Sequence, residues 1–119
     1  MLEQFGRIFL SELLHPERTA MYRLAIAEAA RGGGSVAGEL EASGRAPVTQ
    51  AATRFFEQAA ARGIIRREQV ATLISVFFSV LIGITPLQVL LGEPPISADA
   101  IAQRAALATQ VMARMIEPA

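Results

Sequence analysis

The chain has 119 residues, of which 52% are hydrophobic, and its eleven arginines balance eleven acidic residues to a formal net charge of zero. This length and composition predict one compact domain, and the scattered arginines exclude a strongly basic stretch of the kind that binds nucleic acid. The sequence contains no cysteine, which excludes disulfides, thiolate metal sites and cysteine nucleophiles, and we therefore expect a cytoplasmic protein.

Good helix formers dominate the sequence and alternating strand patterns are rare, which predicts an all-α chain. Apolar residues at three- and four-residue steps predict an amphipathic helix over residues 2–14, which stops where His15 precedes a proline. We expect the His15 imidazole to cap backbone carbonyls at that helix end. A second helix is predicted from Pro16 to Arg31, where a run of glycines ends it.

The middle and the end of the chain predict three more helical segments of different strength. Residues 35–43 form a short, weak helix, because Gly38 lies inside it. Residues 47–62 share an apolar stripe, and Gly63 is placed to cap that helix. A last helix begins at Ser97, a favourable N-cap residue, and carries an apolar seam at steps of four and three residues.

Residues 70–91 carry no charged side chain and are long enough to cross a bilayer. Pro86 should break this helix, because proline has no backbone N–H to donate. Small residues at four-residue steps form one ridge along the helix, and bulky apolar residues form another face. Since the neighbouring helices are amphipathic, we expect protein rather than lipid to cover both faces, with a membrane-embedded protein as an alternative.

Groups suited to catalysis are scarce, since the chain has one histidine, one tyrosine and one aspartate. No spacing of residues is typical of metal ligands, so we expect no enzymatic activity, no metal and no cofactor. Gly32 to Gly34 lack the spacing of a nucleotide-binding loop and predict a flexible turn. Arg62, Arg66 and Arg67 indicate a solvated helix end, with an anion site as the alternative.

Two segments, "FGRIFLSELLHPERTAMYRLAIAEAAR" at 5–31 and "VTQAATRFFEQAAARGIIR" at 48–66, precede an apolar helix that closes in "LLGEPP" and a final amphipathic helix. Together they resemble the C-terminal domain of TetR-family bacterial transcriptional regulators over nearly all of the chain. The resemblance implies a single all-helical regulatory domain that binds a small, usually apolar effector. It also implies a homodimer formed through the last two long helices, as a four-helix bundle.

The chain departs from this family's pattern at two places. Such sequences usually carry a Phe-Pro-Glu-Leu turn where this one has Gly32 to Ser35, so we expect an altered pocket on that side. The family reads DNA through an N-terminal helix-turn-helix, which the residue before Leu2 cannot supply. Residues 2–14 would correspond to the helix that joins the two domains, and the chain as given is expected not to bind an operator.

The resemblance and the apolar stripes together suggest a pocket and a dimer face. The predicted pocket residues are Tyr22, Ile26, Phe55, Phe56, Phe77 and Leu81, with the Tyr22 hydroxyl as the orienting group. The predicted dimer face consists of Ala71, Ser75, Ser79, Ile82, Ile101, Ala105, Ala108, Met112 and Met115. Because buried aromatic residues are ordinary core material, a homodimeric interaction module without a ligand remains the alternative function.

Overall fold

The structure is a computed structural model that describes residues 1–116, apart from the side chain of Arg45. Its α-helices are α1 (Leu2–Leu13), α2 (Pro16–Ala30), α3 (Ser35–Leu40), α4 (Ala46–Ala61), α5 (Val70–Ile82), α6 (Thr85–Leu90) and α7 (Ala98–Met115). A π-helical turn, Glu41–Arg45, joins α3 to α4, and a 3₁₀ turn, Arg67–Gln69, leads into α5. No strand occurs in the described part of the chain, and the predicted all-α fold is confirmed.

Capping side chains set the beginnings of α2 and α7. The Ser97 hydroxyl accepts a hydrogen bond from the backbone N–H of Ala100 at 3.1 Å, which confirms the predicted cap of the last helix. His15 caps a different helix end from the one predicted, since its Nδ1 accepts from the backbone N–H of Glu17 at 3.2 Å. The imidazole therefore accepts from an N–H group in the first turn of α2, which has no partner within that helix, and not from α1.

Two glycines in the left-handed region end helices as the sequence predicts. Gly63 has φ +75° and donates its N–H to the carbonyl of Ala60 at 3.0 Å, so it closes α4. Gly83 has φ +53° and separates α5 from α6, whose first turn contains Pro86. The break expected near the proline is confirmed, because α5 ends at Ile82 and a separate helix, α6, begins at Thr85.

An arginine of α7 holds the broken end of α5. Arg104 Nη1 donates to the carbonyl oxygen of Leu81 at 3.4 Å and to the Thr85 hydroxyl at 3.3 Å. The last carbonyls of a helix have no partner within it, and the guanidinium supplies donors at that point. Residues on both sides of the break are thereby tied to the final helix.

The core lies where α1, α5 and α7 pack against one another. Its largest fully buried side chains are Leu10, Ile65, Leu73, Phe77, Leu81 and Met112. At Gly6, α1 comes close to α5, since a Cβ atom there would lie 3.2 Å from Leu81 Cδ1 and 3.3 Å from the Phe77 ring. The absence of a side chain at this position leaves room for the ends of these two α5 side chains against α1.

Candidate ligand cleft

A cleft of about 620 Å³ opens between α1, α2, the π-helical turn with the start of α4, and α5. Its apolar lining consists of Phe9, Leu13, Pro47, Val48, Ile74, Phe78 and Ile82. Its polar lining consists of Glu12, Arg18, Tyr22, Ser43, Thr49, Ser75 and Ser79, together with Gly44. This size, and an apolar wall with dispersed polar groups, are typical of small-molecule sites of about 300 to 1,000 Å³.

The aromatic wall of the cleft is continuous with the core. The rings of Phe9 and Phe78 lie edge to face with centroids 5.4 Å apart, and Phe78 makes the same kind of contact with Phe77 at 5.4 Å. Phe77 is fully buried, whereas Phe78 and Phe9 are half-buried and line the cleft. Adjacent residues of α5 therefore serve the core and the cleft, and a ligand against Phe78 would contact a ring that packs on α1.

The π-helical turn places a small residue beside the cleft's arginine. Pro47 has no N–H to donate to the carbonyl of Ser43, and the wider π-helical turn ends two residues before it, at Arg45. Ser43 and Gly44 of this turn both line the cleft. The guanidinium of Arg18 lies against Gly44, since a Cβ atom at residue 44 would overlap Arg18 Nη1.

Comparison with protein families matches residues 1–115 to the C-terminal domain of AefR-like transcriptional repressors. The chain belongs to this TetR-type domain family. The match confirms the resemblance stated from the sequence and indicates a regulatory role in a transcriptional repressor. Regulators of the family are soluble, typically cytoplasmic, and their regulatory domains are generally not enzymes. Neither the curated proteins nor the solved structures gave a match.

In this AefR-like domain the predicted pocket residues separate into different environments. Tyr22 is half-buried and lines the cleft. Phe55 instead lines a smaller hollow of about 210 Å³ beside the N-terminal end of α1, and Ile26 is 56% exposed on α2 outside the cleft lining. The remaining three, Phe56, Phe77 and Leu81, lie in the core with at most 2% of their surface exposed.

The predicted dimer residues also divide. On α7, the side chains of Ile101, Ala105, Ala108 and Met112 are buried in the chain's own core, and Met115 is half-buried. A contact between the four buried residues and a second copy would require α7 to leave that core. On α5, Ala71, Ser75 and Ser79 are exposed and Ile82 is half-buried, and the last three of these line the cleft.

Sequence reasoning missed the cleft face of α5. Ile74, Phe78 and Ile82 follow one another at four-residue steps, and all three line the cleft. That spacing is visible in the sequence, but it was obscured because α5 is apolar on nearly every side. The contribution of α1 was missed for a different reason, since its apolar stripe was used only to predict an amphipathic helix.

Apolar side chains in α6, at its two flanking residues and in α7 remain exposed in the single chain. The exposed side chains are Ile84 at 65%, Leu87 at 56%, Leu91 at 77% and Leu107 at 49%. Residues 67–90 are long and apolar enough to cross a membrane by length and composition, and 22% of an apolar stretch of 18 residues within them is buried. One such stretch is weak evidence for a span, because core helices of soluble proteins meet the same criterion.

The glycine turn after α2 is held by a carboxylate. The Glu28 side chain accepts hydrogen bonds from the backbone N–H of Val36 at 2.9 Å and from the Ser35 hydroxyl at 3.1 Å. The Val36 N–H is the main reason that the pKa of Glu28 lies below its ordinary value of 4.5; partial desolvation acts in the opposite direction, and Ser35 adds to the lowering. The Glu28 carboxylate thus caps the N-terminal end of α3, which follows the turn at Gly32 to Gly34.

Replacement of Glu28 by glutamine is expected to reduce the amide hydrogen-exchange protection of residues 35–40. A lowered folded-state pKa stabilises the fold above the unfolded-state pKa, and this contribution disappears as the pH falls through the folded-state value. In the wild type, protection in this segment should therefore decline as the pH falls below 4.5. Glu28→Gln should show low protection without that decline, whereas the control Glu39→Gln should behave like the wild type. Equal protection in Glu28→Gln and wild type would contradict this role.

Proposed function

We propose that this domain binds a small apolar effector in the cleft and forms a homodimer within a TetR-like repressor. The observation that carries the proposal is the cleft itself, in which α1, α2, α4 and α5 each contribute to an apolar wall with dispersed polar groups. Pockets of this kind are the default binding sites of small molecules. The family's regulatory role in transcriptional repression agrees with a sensor rather than a catalyst.

The helix α1 provides the route from the cleft to DNA. By its resemblance to the family, α1 corresponds to the segment that leads from the DNA reader into the regulatory domain. Phe9 and Leu13 of α1 line the cleft, and the same helix packs against α5 and α7. An effector that binds more tightly at one position of α1 would shift the population towards one distance between the two DNA-reading domains of the dimer. The coupling free energy between effector binding and DNA binding would be about 1 to 3 kcal/mol.

We place the dimer surface on the outer sides of α5, α6 and α7. The chain measures 48 × 30 × 17 Å, so its shortest dimension is less than two helix diameters of about 10 Å. In a body this thin, few helices are covered on both sides, and Ile84, Leu87, Leu91 and Leu107 remain exposed. Where exposed apolar side chains adjoin one another, they mark association surfaces in soluble proteins, and we propose that these four do so.

The second candidate function is a homodimeric interaction module without a ligand. The uncovered leucines and isoleucine of α6 and α7 favour it, since they account for assembly without any use of the cleft. The two functions differ in whether a neutral apolar molecule binds between α1 and α5.

Ser79→Leu is expected to weaken binding of the neutral fluorescent probe N-phenyl-1-naphthylamine by about tenfold or more. Ser79 lines the cleft with an exposed side chain, so leucine would occupy space that the probe needs. Fluorescence titration measures the effect, and Ser11→Leu on the exposed side of α1 is the matched control. Unchanged probe binding by Ser79→Leu, together with loss of the dimer in sedimentation, would place Ser79 at the subunit contact instead.

The dimer proposal predicts that Leu87→Glu and Leu107→Glu each convert the protein to a monomer in sedimentation velocity. A carboxylate buried without a partner in an apolar interface would cost several kcal/mol. Leu24→Glu is the matched control, because Leu24 is a comparably exposed leucine, 50% accessible, on α2. A dimer that persists in both variants would refute the proposed surface.

A further inference from the structure

Among the described side chains of the cleft, the arginine Arg18 has no counter-charge. Arg18 lies in the first turn of α2, is half-buried and lines the cleft. No carboxylate of the described residues lies within 4.0 Å of its guanidinium, and no hydrogen bond links it to another described residue. Since buried or partly buried charges are normally paired, a half-buried guanidinium at the wall of an apolar cleft is a candidate anion anchor.

The fold brings this guanidinium to a defined place. Arg18 extends from α2 to the π-helical turn, where it lies against Gly44. A side chain at residue 44 would overlap Nη1, so glycine allows this close approach. The hydroxyl-bearing residues Tyr22 and Ser43 line the same cleft and can add donors for an oxygen ligand. The polar groups therefore converge from two elements, while the aromatic wall lies on α1 and α5.

The charges of the cleft favour one anionic group over a cationic or a doubly charged one. Among the described side chains that line it, Arg18 and Glu12 are the charged groups. Glu12 is exposed to solvent, whereas Arg18 is half-buried, so Arg18 gains more from a bound counter-ion. One guanidinium can donate two parallel hydrogen bonds to a carboxylate, whereas a second negative charge would have no partner among the described side chains of the lining and would face Glu12.

From these contacts, and resting on the effector function proposed above, we infer that the effector is an apolar acid. Its carboxylate binds the guanidinium of Arg18, and its apolar part lies against the aromatic wall formed by Phe9 and Phe78. Charge-assisted hydrogen bonds are stronger than neutral ones, so the acid is recognised over an alcohol of the same length.

Isothermal titration with three ten-carbon probes, decanoate, decanol and decylamine, tests this inference. The wild type should bind decanoate at least about tenfold more tightly than decanol, the ratio expected for one charge-assisted contact. Arg18→Gln should remove this preference and leave decanol binding unchanged. Arg54→Gln is the matched control, because Arg54 is exposed on α4 outside the cleft lining, and it should keep the preference.

A second variant tests the inference independently, in case Arg18→Gln does not fold. Gly44→Ala keeps the arginine but forces its guanidinium away from the π-helical turn, and it should reduce the preference for decanoate. Equal binding of decanoate and decanol by the wild type, tighter binding of decylamine, or a preference that survives both variants would overturn the acid inference while leaving the sensor function intact. Failure of all three probes to bind the wild type would instead reject the sensor function, and the inference with it.

Discussion

The contact of α5 side chains with α1 at Gly6 is the constraint on which the cleft depends. Gly6 allows the Leu81 and Phe77 side chains of α5 to approach α1, since a Cβ atom there would touch both. This approach brings Phe9 of α1 onto Phe78 of α5, and the edge-to-face pair forms one wall of the cleft. A change in the width of the cleft must therefore change the packing of α1, because interiors are close-packed and respond to small displacements.

Features determined by local backbone chemistry could be predicted from the sequence. The all-α fold, the cap at Gly63, the N-cap at Ser97 and the break before Pro86 each follow from the conformational limits of one or two residues. The His15 cap was predicted for the wrong helix end. Both ends were adjacent in the sequence, and the free N–H groups of α2 compete with the carbonyls of α1 for the same imidazole.

Features that depend on which apolar surface meets which neighbour could not be predicted in the same way. On α5, apolar residues surround the helix, so periodicity does not reveal that Phe77 faces the core while Phe78 faces the cleft. The apolar seam of α7 is equally ambiguous, because a stripe packed against helices of the same chain looks like one packed against a second subunit. Tyr22, the predicted orienting group, lies in the cleft lining, where its hydroxyl suits a partly exposed position.

The central claim is that small apolar molecules bind between α1 and α5. It is tested most directly by isotope-filtered NOE measurements on decanol bound to protein with labelled isoleucine methyl groups. The account predicts cross-peaks from the bound alcohol to Ile74 and Ile82, which line the cleft, and none to Ile26 or Ile84, which are exposed outside its lining. Cross-peaks confined to Ile26 or Ile84 would contradict it.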